Sequence, residues 1–342
     1  MTYKVTIHPS GHEFNAGIGE SLLSAALNAG FPLPYGCRNG ACGACKGKVL
    51  SGQVDYGAHQ DSALTAADKH NGLALFCCAT ALSDLGIEVK EVGAVKDIPI
   101  RTLPCRIEAM ERLASDVMLL KLKLPSSERL QFLPGQYIDF LLKDGQRRSF
   151  SLANVPEADE LLELHIRHVP GGQFTEHVFK TMKARDILRI SGPYGSFFLR
   201  ESDKPAIFVA GGTGFAPIKS ILAHAFHAEV DRQLVLYWGV RQLRDVYEPL
   251  LVAEWQKQQT NFSFVPVLSE PAADDAWPGR SGLVHAAVLA DFADLSGYEV
   301  YACGAPPMID AARRDFVARG LPADAFFSDA FDFQSVPAAV TD

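Results

Sequence analysis

Residues 36–45 read GCRNGACGAC and place three cysteines, Cys37, Cys42 and Cys45, within nine positions of one another. A fourth cysteine, Cys77, follows much later in the chain. The glycines between the thiols allow a tight curl of the backbone and let N–H groups approach the sulfur atoms. This spacing predicts a loop that wraps around a thiolate-bound metal centre.

The order of the cysteines separates three kinds of thiol chemistry. C-x4-C-x2-C followed by a distant cysteine is the spacing with which plant-type ferredoxins ligate a 2Fe-2S cluster. Structural zinc sites usually present two short cysteine pairs, so zinc is the weaker alternative. A disulfide framework is disfavoured because seven cysteines is an odd number, no signal peptide is visible and 342 residues need no covalent staples.

Two neighbouring cysteines compete for the position of the fourth ligand. In an extended segment successive side chains point to opposite faces, so only one of Cys77 and Cys78 can face the cluster. We expect Cys77 to be the ligand and Cys78 to pack inward as a small apolar residue. Cys105 belongs to no such pattern and is expected in a hydrophobic core.

The composition is typical of a multidomain globular protein. With 342 residues, 48% of them hydrophobic, and a mean hydropathy of +0.05, the chain can build two or three hydrophobic cores. Its apolar runs are too short for a membrane span, and a net charge of −8 without clusters of Lys or Arg argues against nucleic acid or an anionic membrane as partner. We therefore expect a cytoplasmic protein, with a frayed tail from Ser335 to Asp342.

The rhythm of apolar and turn residues divides the chain into three predicted domains. Residues 1–93 alternate like strands around one helix at 20–28 and include the cysteine loop. Residues 101–200 contain short strands separated by turn residues, as in a small antiparallel barrel. Residues 201–342 repeat the order strand, turn, helix, which predicts a parallel α/β sheet.

The first turn of the third predicted domain is rich in glycine. Gly211 to Pro217 reads GGTGFAP and lies between an apolar strand and a helix, where backbone N–H groups can approach a phosphate. Pro217 stands where the ordinary dinucleotide fingerprint has its third glycine, and the next strand ends in Trp238 and Gly239 rather than in an acidic residue. The departure argues against an ordinary dehydrogenase and points to a different nicotinamide-binding family.

Three short motifs identify that family by resemblance. Residues 148–151 (RSFS) fit R-x-[YF]-[ST], residues 211–217 fit G-G-x-G-x-x-P, and residues 303–308 (CGAPPM) fit C-G-x-P-x-M. In this order, after a ferredoxin module, the chain resembles ferredoxin-NADP reductase-like flavoproteins with an N-terminal plant-type 2Fe-2S ferredoxin domain. Residues 135–139, 147–154 and 326–331 most resemble the CDP-6-deoxy-delta-3,4-glucoseen reductase type, whereas phenol hydroxylase reductases are similar mainly in the middle of the chain.

The resemblance implies a multidomain fold and a flavin site. The fold is a β-grasp ferredoxin, a six-stranded antiparallel FAD-binding β-barrel and a parallel α/β nucleotide-binding domain. Arg148 would bind the FAD diphosphate, Phe150 would lie against the isoalloxazine or ribityl, and Ser151, a catalytic residue, would hydrogen-bond near flavin N5. The full set of implied FAD-binding residues is Arg148, Ser149, Phe150, Ser151, His165, Arg167, Gly171, Gly172 and Thr175.

The resemblance also implies a site for the nicotinamide dinucleotide. Cys303 would be a catalytic residue beside C4 of the nicotinamide, and Asp245 would repel a 2′-phosphate, which favours NADH over NADPH. Either Phe327 or Phe331 would cover the flavin. The residues implied to bind the coenzyme are Gly212, Thr213, Gly214, Arg241 and Cys303.

These modules together predict a chain of electron carriers. A nicotinamide gives two electrons as one hydride, a flavin handles one or two, and a 2Fe-2S cluster carries one. The first hypothesis is an NADH-dependent reductase that feeds a CDP-4-keto-6-deoxyglucose 3-dehydrase in dideoxysugar synthesis. The second is the reductase component of a bacterial aromatic-ring mono- or dioxygenase, and the third, from another class, is a redox sensor.

Overall fold

The computed structural model describes residues 1–331, and the chain forms two compact units. The first unit contains Met1–Pro99 with two short stretches, Gly195–Phe197 and residues 328–331. The second contains Ile100–Tyr194 and Phe198–Phe327. Among the described residues no helix has the length and apolar character needed to cross a bilayer. The tail that the sequence predicts to be frayed lies outside the described residues.

A mixed five-stranded sheet forms the centre of the first unit, in the order β2-β1-β7-β3-β5. Among the strands of this sheet, β1 comes first in the sequence and β7 comes last. These two pair in parallel, while the other pairs are antiparallel, as expected for a β-grasp. Its elements are β1 (Thr2–His8), β2 (Glu13–Gly17), α1 (Leu22–Asn28), β3 (Lys46–Ser51), β4 (Val54–Asp55), α2 (Ala66–His70), β5 (Leu73–Leu75), β6 (Thr80–Ala81) and β7 (Leu85–Glu88).

Local sequence explains both helices of this unit. Ser21 caps α1 by accepting a hydrogen bond from the Ser24 backbone N–H at 3.2 Å, and the apolar face of the helix is buried, as its spacing predicts. Thr65 and Asp68 form a complete capping box at the start of α2. The cysteine loop connects α1 to β3.

Six antiparallel strands and one helix make up the first part of the second unit. The sheet order is β11-β10-β13-β8-β9-β12 around a single apolar core. Its elements are β8 (Arg101–Ala114), β9 (Val117–Lys123), β10 (Tyr137–Leu141), β11 (Arg147–Ser151), β12 (Leu162–Arg167), α3 (Gln173–Lys180) and β13 (Ile187–Tyr194).

The expected barrel is not closed by a continuous ladder. The edge strands β11 and β12 meet at a single bridge between Leu152 and Leu164. The Asn154 side chain accepts a hydrogen bond from the Glu163 backbone N–H at 3.0 Å and donates to the Ala158 carbonyl at 3.0 Å, which turns the chain away from the sheet. Pairing therefore stops after one bridge.

The strand β8 was not anticipated from the sequence. Leu103, Cys105 and Ile107 alternate with exposed residues and are buried, so the expectation that Cys105 lies in a core is confirmed. Pro104 occupies one of the outward positions of this strand, and a proline within an apolar run counts against a strand.

A parallel six-stranded sheet with flanking helices forms the rest of the second unit, in the order β17-β16-β15-β14-β18-β19. Strands β14, β15, β16, β17 and β18 pair in parallel. The strand order reverses at β14, the place where α/β sheets usually bind ligands. Its elements are β14 (Ala206–Gly211), α4 (Phe215–His227), β15 (Leu234–Val240), α5 (Pro249–Gln258), β16 (Phe262–Leu268), β17 (Arg280–Ser281), α6 (Val284–Asp291), β18 (Glu299–Gly304), α7 (Pro306–Ala318) and β19 (Phe326–Ala330).

Candidate functional site

The four predicted ligand cysteines associate in two pairs. A hydrogen bond with the Cys42 thiol is the largest cause that lowers the pKa of Cys37, to about 6. Cys45 and Cys77 form the second pair, and their hydrogen bond raises the pKa of Cys77. A 2Fe-2S cluster needs two protein thiolates on each iron, so this pairing gives one pair to each iron.

Backbone N–H groups of the loop point at the same sulfur atoms. Cys42 Sγ accepts hydrogen bonds from the backbone N–H of Cys37 at 3.4 Å and of Ala44 at 3.5 Å, and Cys45 Sγ accepts one from Cys77 at 3.5 Å. Such donors stabilise thiolate ligands. Within residues 1–331 no three Cys, His, Asp or Glu side chains are placed to hold one metal ion.

The fourth ligand position differs from the sequence expectation in one respect. Residues 76–79 form a turn rather than an extended segment, since the backbone N–H groups of Cys78 and Ala79 both donate to the Leu75 carbonyl, at 2.9 and 2.8 Å. Alternation of side chains does not apply to a turn. Cys78 is consequently only partly buried, and its Sγ lies 3.5 Å from that of Cys77.

An acidic residue that the sequence did not single out lies beside the cysteine loop. Asp329 is 5% exposed, and its Oδ1 lies 3.1 Å from the position that a Cβ on Gly36 would take. Burial, followed by the charge of Cys37, raises the pKa of Asp329 to about 7. No local motif announces this contact because the two residues are almost three hundred positions apart in the chain.

The predicted phosphate-binding elements of the flavin site lie next to each other. Phe150 of β11 contacts Phe174 in the first turn of α3, with ring centroids 5.5 Å apart, and also packs against the core residue Phe140. This contact brings the strand of Arg148 beside the start of α3, whose first N–H groups can bind phosphate. The Arg148 guanidinium donates to the Gln146 side chain at 2.6 Å.

Other residues of the predicted flavin set have local structural contacts. Ser149 Oγ donates to the buried Asp139 at 2.7 Å. Thr175 Oγ1 accepts from the Val169 backbone N–H at 3.1 Å, and this hydroxyl therefore fixes the turn that contains Gly171 and Gly172.

Ser151 and His165 lie on the two edge strands, β11 and β12. The isolated bridge between Leu152 and Leu164 is antiparallel, and Ser151 and His165 are the residues next to it on the two strands. Both are buried, at 5% and 4% exposure. In the described part of the chain neither Ser151 Oγ nor His165 Nε2 has a hydrogen-bond partner. Buried polar atoms without a partner are a feature expected of a site for a polar cofactor edge.

Tyr247 fixes the orientation of the His165 ring. Its hydroxyl lies 3.1 Å from His165 Nδ1, and the two rings meet edge to face. Burial, with the nearby charge of Lys219, lowers the pKa of His165 well below its ordinary value, so the imidazole is neutral at pH 7. Burial and then the charge of Glu248 raise the pKa of Tyr247, so its hydroxyl keeps its proton. A hydroxyl that donates to Nδ1 leaves Nε2 as an N–H donor.

The glycine turn and the Cys303 motif are packed against each other at the carboxyl ends of β14 and β18. Ala210 and Cys303 are paired across these strands, and a Cβ on Gly214 would collide with the Cys303 carbonyl. The Trp238 indole N–H donates to the Gly212 carbonyl at 2.9 Å and so holds the turn in place. Cys303 is fully buried.

The side chain of Arg167, expected at the flavin, lies at this glycine turn. Its Nη1 is 2.5 Å from the position of a Cβ on Gly212, and its Nε donates to Asp116 at 2.9 Å. Arg241 binds the same Asp116 oxygen at 3.3 Å and Asp245 at 3.3 Å. Two arginines therefore share one carboxylate beside the predicted coenzyme phosphates.

The contacts of Asp245 and Phe327 bear on two further roles that the resemblance implies. Asp245 is already paired with Arg241, which reduces the charge that it can present to a 2′-phosphate. Phe327 is partly buried, stacks on Tyr301 with ring centroids 4.9 Å apart and lies under Arg200, and a covering role of Phe327 or Phe331 at the flavin stays a prediction. Asp116 and Tyr247 were missed by sequence reasoning because each acts through a residue distant in the chain.

Comparison with known proteins identifies all three modules. Family models match residues 5–82 (2Fe-2S iron-sulfur cluster binding domain), 104–199 (oxidoreductase FAD-binding domain) and 208–314 (oxidoreductase NAD-binding domain). Yersinia pestis CDP-6-deoxy-L-threo-D-glycero-4-hexulose-3-dehydrase reductase is 41% identical, over 97% of this chain and 99% of the relative. Reductase component 1 of terephthalate 1,2-dioxygenase from Comamonas sp is 36% identical, over 97% and 98%.

A solved structure agrees with these matches. The crystal structure of the Amycolatopsis cytochrome P450 reductase GcoB is similar with a TM-score of 0.77 and 33% identity, over 96% of this chain and 99% of that one. The chain therefore belongs to the ferredoxin-NADP reductase-like flavoproteins with an N-terminal plant-type ferredoxin domain, and it is an oxidoreductase with binding domains for a 2Fe-2S cluster, FAD and a nicotinamide dinucleotide.

Proposed function

We propose that this chain takes electrons from NADH, passes them through FAD and a 2Fe-2S cluster, and delivers them to a CDP-4-keto-6-deoxyglucose 3-dehydrase in dideoxysugar synthesis. The observation that carries the redox part is the pair of buried polar atoms, Ser151 Oγ and His165 Nε2, joined through Tyr247 to the domain of the glycine turn. The choice of partner is supported by the 41% identical dehydrase reductase, which matches over nearly its whole length.

In this proposal three modules, residues 1–93, 101–200 and 201–342, bind the cluster, FAD and the nicotinamide coenzyme, respectively. When bound, FAD accepts a hydride from NADH, and the cluster accepts electrons one at a time. Arg148 and the N–H groups at the start of α3 are suited to the FAD diphosphate. Ser151 and His165 would orient the polar edge of the flavin ring.

The coenzyme residues occupy the other domain of the same unit. Gly212, Thr213 and Gly214 let the backbone approach the coenzyme phosphates, and Arg167 supplies a cation at that turn. Cys303, held by its strand against the turn, would position the nicotinamide. We propose NADH as the preferred coenzyme because Asp116 and Asp245 neutralise Arg241 and leave this arginine less able to bind a 2′-phosphate, so kcat/KM for NADH should exceed that for NADPH.

The second candidate partner is an aromatic-ring oxygenase. Terephthalate 1,2-dioxygenase reductase is 36% identical over nearly the same share of the chain, and both partner classes would use the same electron carriers. The redox sensor has no counterpart among the relatives named above, which are reductases.

Reconstitution with purified partners tests the choice. With a CDP-4-keto-6-deoxyglucose 3-dehydrase and its sugar substrate, we expect one NADH to be consumed for each sugar deoxygenated. A terephthalate dioxygenase with its aromatic substrate serves as the comparison and should turn over at least tenfold more slowly. The reverse order of rates would favour the oxygenase.

A further inference from the structure

A fifth thiol lies beside the four predicted ligands of the 2Fe-2S cluster. Cys78 Sγ is 3.5 Å from Cys77 Sγ because residues 76–79 turn and carry both side chains to one side. This distance is shorter than two metal–sulfur bonds of roughly 2.3 Å each, so one iron position lies within bonding reach of either thiol.

The Cys78 thiol is directed at the loop that holds the other ligands. Its Sγ lies 2.9 Å from the position of a Cβ on Gly40, which has φ +78° and stands between Cys37 and Cys42 in the chain. Gly40 is thus the residue that leaves room for this thiol against the loop.

Cys77 is the one predicted ligand with a second cysteine next to it in the sequence. The two remaining cysteines, Cys105 and Cys303, are buried in β8 and β18 of the other unit. Cys37, Cys42 and Cys45 have no cysteine as an immediate neighbour in the chain. The fourth ligand position is therefore the one at which a second thiol is available from the neighbouring residue.

We propose that Cys78 is an alternative fourth ligand of the cluster, able to replace Cys77 on its iron. In the exchange the bond from iron to Cys77 Sγ breaks and a bond to Cys78 Sγ forms. The proton of the Cys78 thiol moves to the released Cys77 thiolate, so no charge and no electron is gained or lost. The inference rests on the cluster that the ferredoxin module binds.

Alanine variants of the full chain test the exchange, because alanine, unlike serine, cannot bind iron. The set is Cys77→Ala, Cys78→Ala, the double variant, and Cys45→Ala as a matched control at a ligand without an adjacent cysteine. Iron and sulfide content, visible absorbance and the EPR spectrum of dithionite-reduced protein report the cluster. Bound FAD, measured in the same samples, shows that the second unit is folded.

We expect wild type, Cys78→Ala and Cys77→Ala to hold two irons and two sulfides per chain, with displaced EPR g values for Cys77→Ala alone. The double variant and Cys45→Ala should retain less than a tenth of the wild-type cluster. Loss of the cluster from Cys77→Ala to the same extent as from Cys45→Ala, with FAD retained, would overturn the proposal. A wild-type protein that cannot be loaded with iron and sulfide would instead contradict the proposed function.

Discussion

Ser151 and His165 each bury a polar side-chain atom that has no hydrogen-bond partner among the described residues, which is unfavourable for folding. A buried polar atom without a partner costs about 1–3 kcal/mol, and these two lie beside the bridge that joins β11 and β12. Under the proposed function, bound FAD would complete both hydrogen bonds. His165 was expected at the flavin, but the neighbour that sets its tautomer, Tyr247, has no signature in the sequence.

Replacing Ser151 by alanine separates stability from cofactor binding. The FAD-free variant should melt no lower than the FAD-free wild type, because an unmatched hydroxyl has been removed. FAD affinity should fall about fivefold to tenfold, the equivalent of one hydrogen bond of about 1 kcal/mol. Thermal melting and FAD titration check both parts, with Ser151→Thr as the control that keeps the hydroxyl. Unchanged FAD affinity in the alanine variant would remove Ser151 from the flavin site.

The buried His165 should make the protein sensitive to acid. Its pKa is lowered in the folded state, so below the unfolded value of about 6.5 the unfolded chain binds the proton first and stability falls as pH falls. One proton corresponds to about 1.4 kcal/mol per pH unit. The melting temperature of wild type should therefore drop more steeply between pH 7 and pH 5 than that of His165→Gln. Parallel curves for the two proteins would show that His165 is not buried in its neutral form.

At the scale of elements, the contact between the glycine turn and β18 organises the coenzyme site. Both motifs could be predicted from the sequence, because each lies at the end of a strand with a clear apolar pattern. Their packing also follows from the sheet order, which places β14 beside β18. The position of Arg167 could not be predicted, because it depends on how β12 approaches a turn that follows it by more than forty residues.

The close approach at Gly214 predicts a severe effect of a single methyl group. In Gly214→Ala the new Cβ would collide with the Cys303 carbonyl, and the backbone of both motifs would have to shift. We expect the free energy of unfolding of the domain with the parallel sheet to fall by about 1–3 kcal/mol. The rate of NADH-driven flavin reduction should fall at least tenfold. Gly297→Ala, in open space in the same domain, is the control and should behave as wild type. Equal behaviour of the two variants would contradict the packing described for the turn.

Arg167 and Arg148 should have different phenotypes although one motif-based resemblance assigned both to FAD. Arg167→Ala removes a cation from the glycine turn and should raise KM for NADH about tenfold while FAD content stays full. Arg148→Ala, beside the start of α3, should instead lower FAD retention. Steady-state kinetics with ferricyanide and flavin absorbance measure the two effects. Loss of FAD from Arg167→Ala would return this residue to the flavin site.

At the scale of the whole molecule, three binding modules occur in one chain, each with its own sheet. Their order and chemistry were evident from three motifs and four cysteines. The contacts that refine the sites were not, because Asp329 beside Gly36 and Tyr247 beside His165 join residues far apart in the sequence. The turn at Cys78 was misjudged for another reason, since a cysteine pair carries no signal that distinguishes a turn from an extended segment.

The proposed function requires that electrons from NADH reach the cluster through FAD. An anaerobic NADH titration of the full chain, followed by flavin absorbance and low-temperature EPR, tests it directly. We expect the flavin to bleach and a reduced 2Fe-2S signal to appear, while Cys42→Ala bleaches in the same way without that signal. A bleached flavin in wild type with a loaded but EPR-silent cluster would contradict the account.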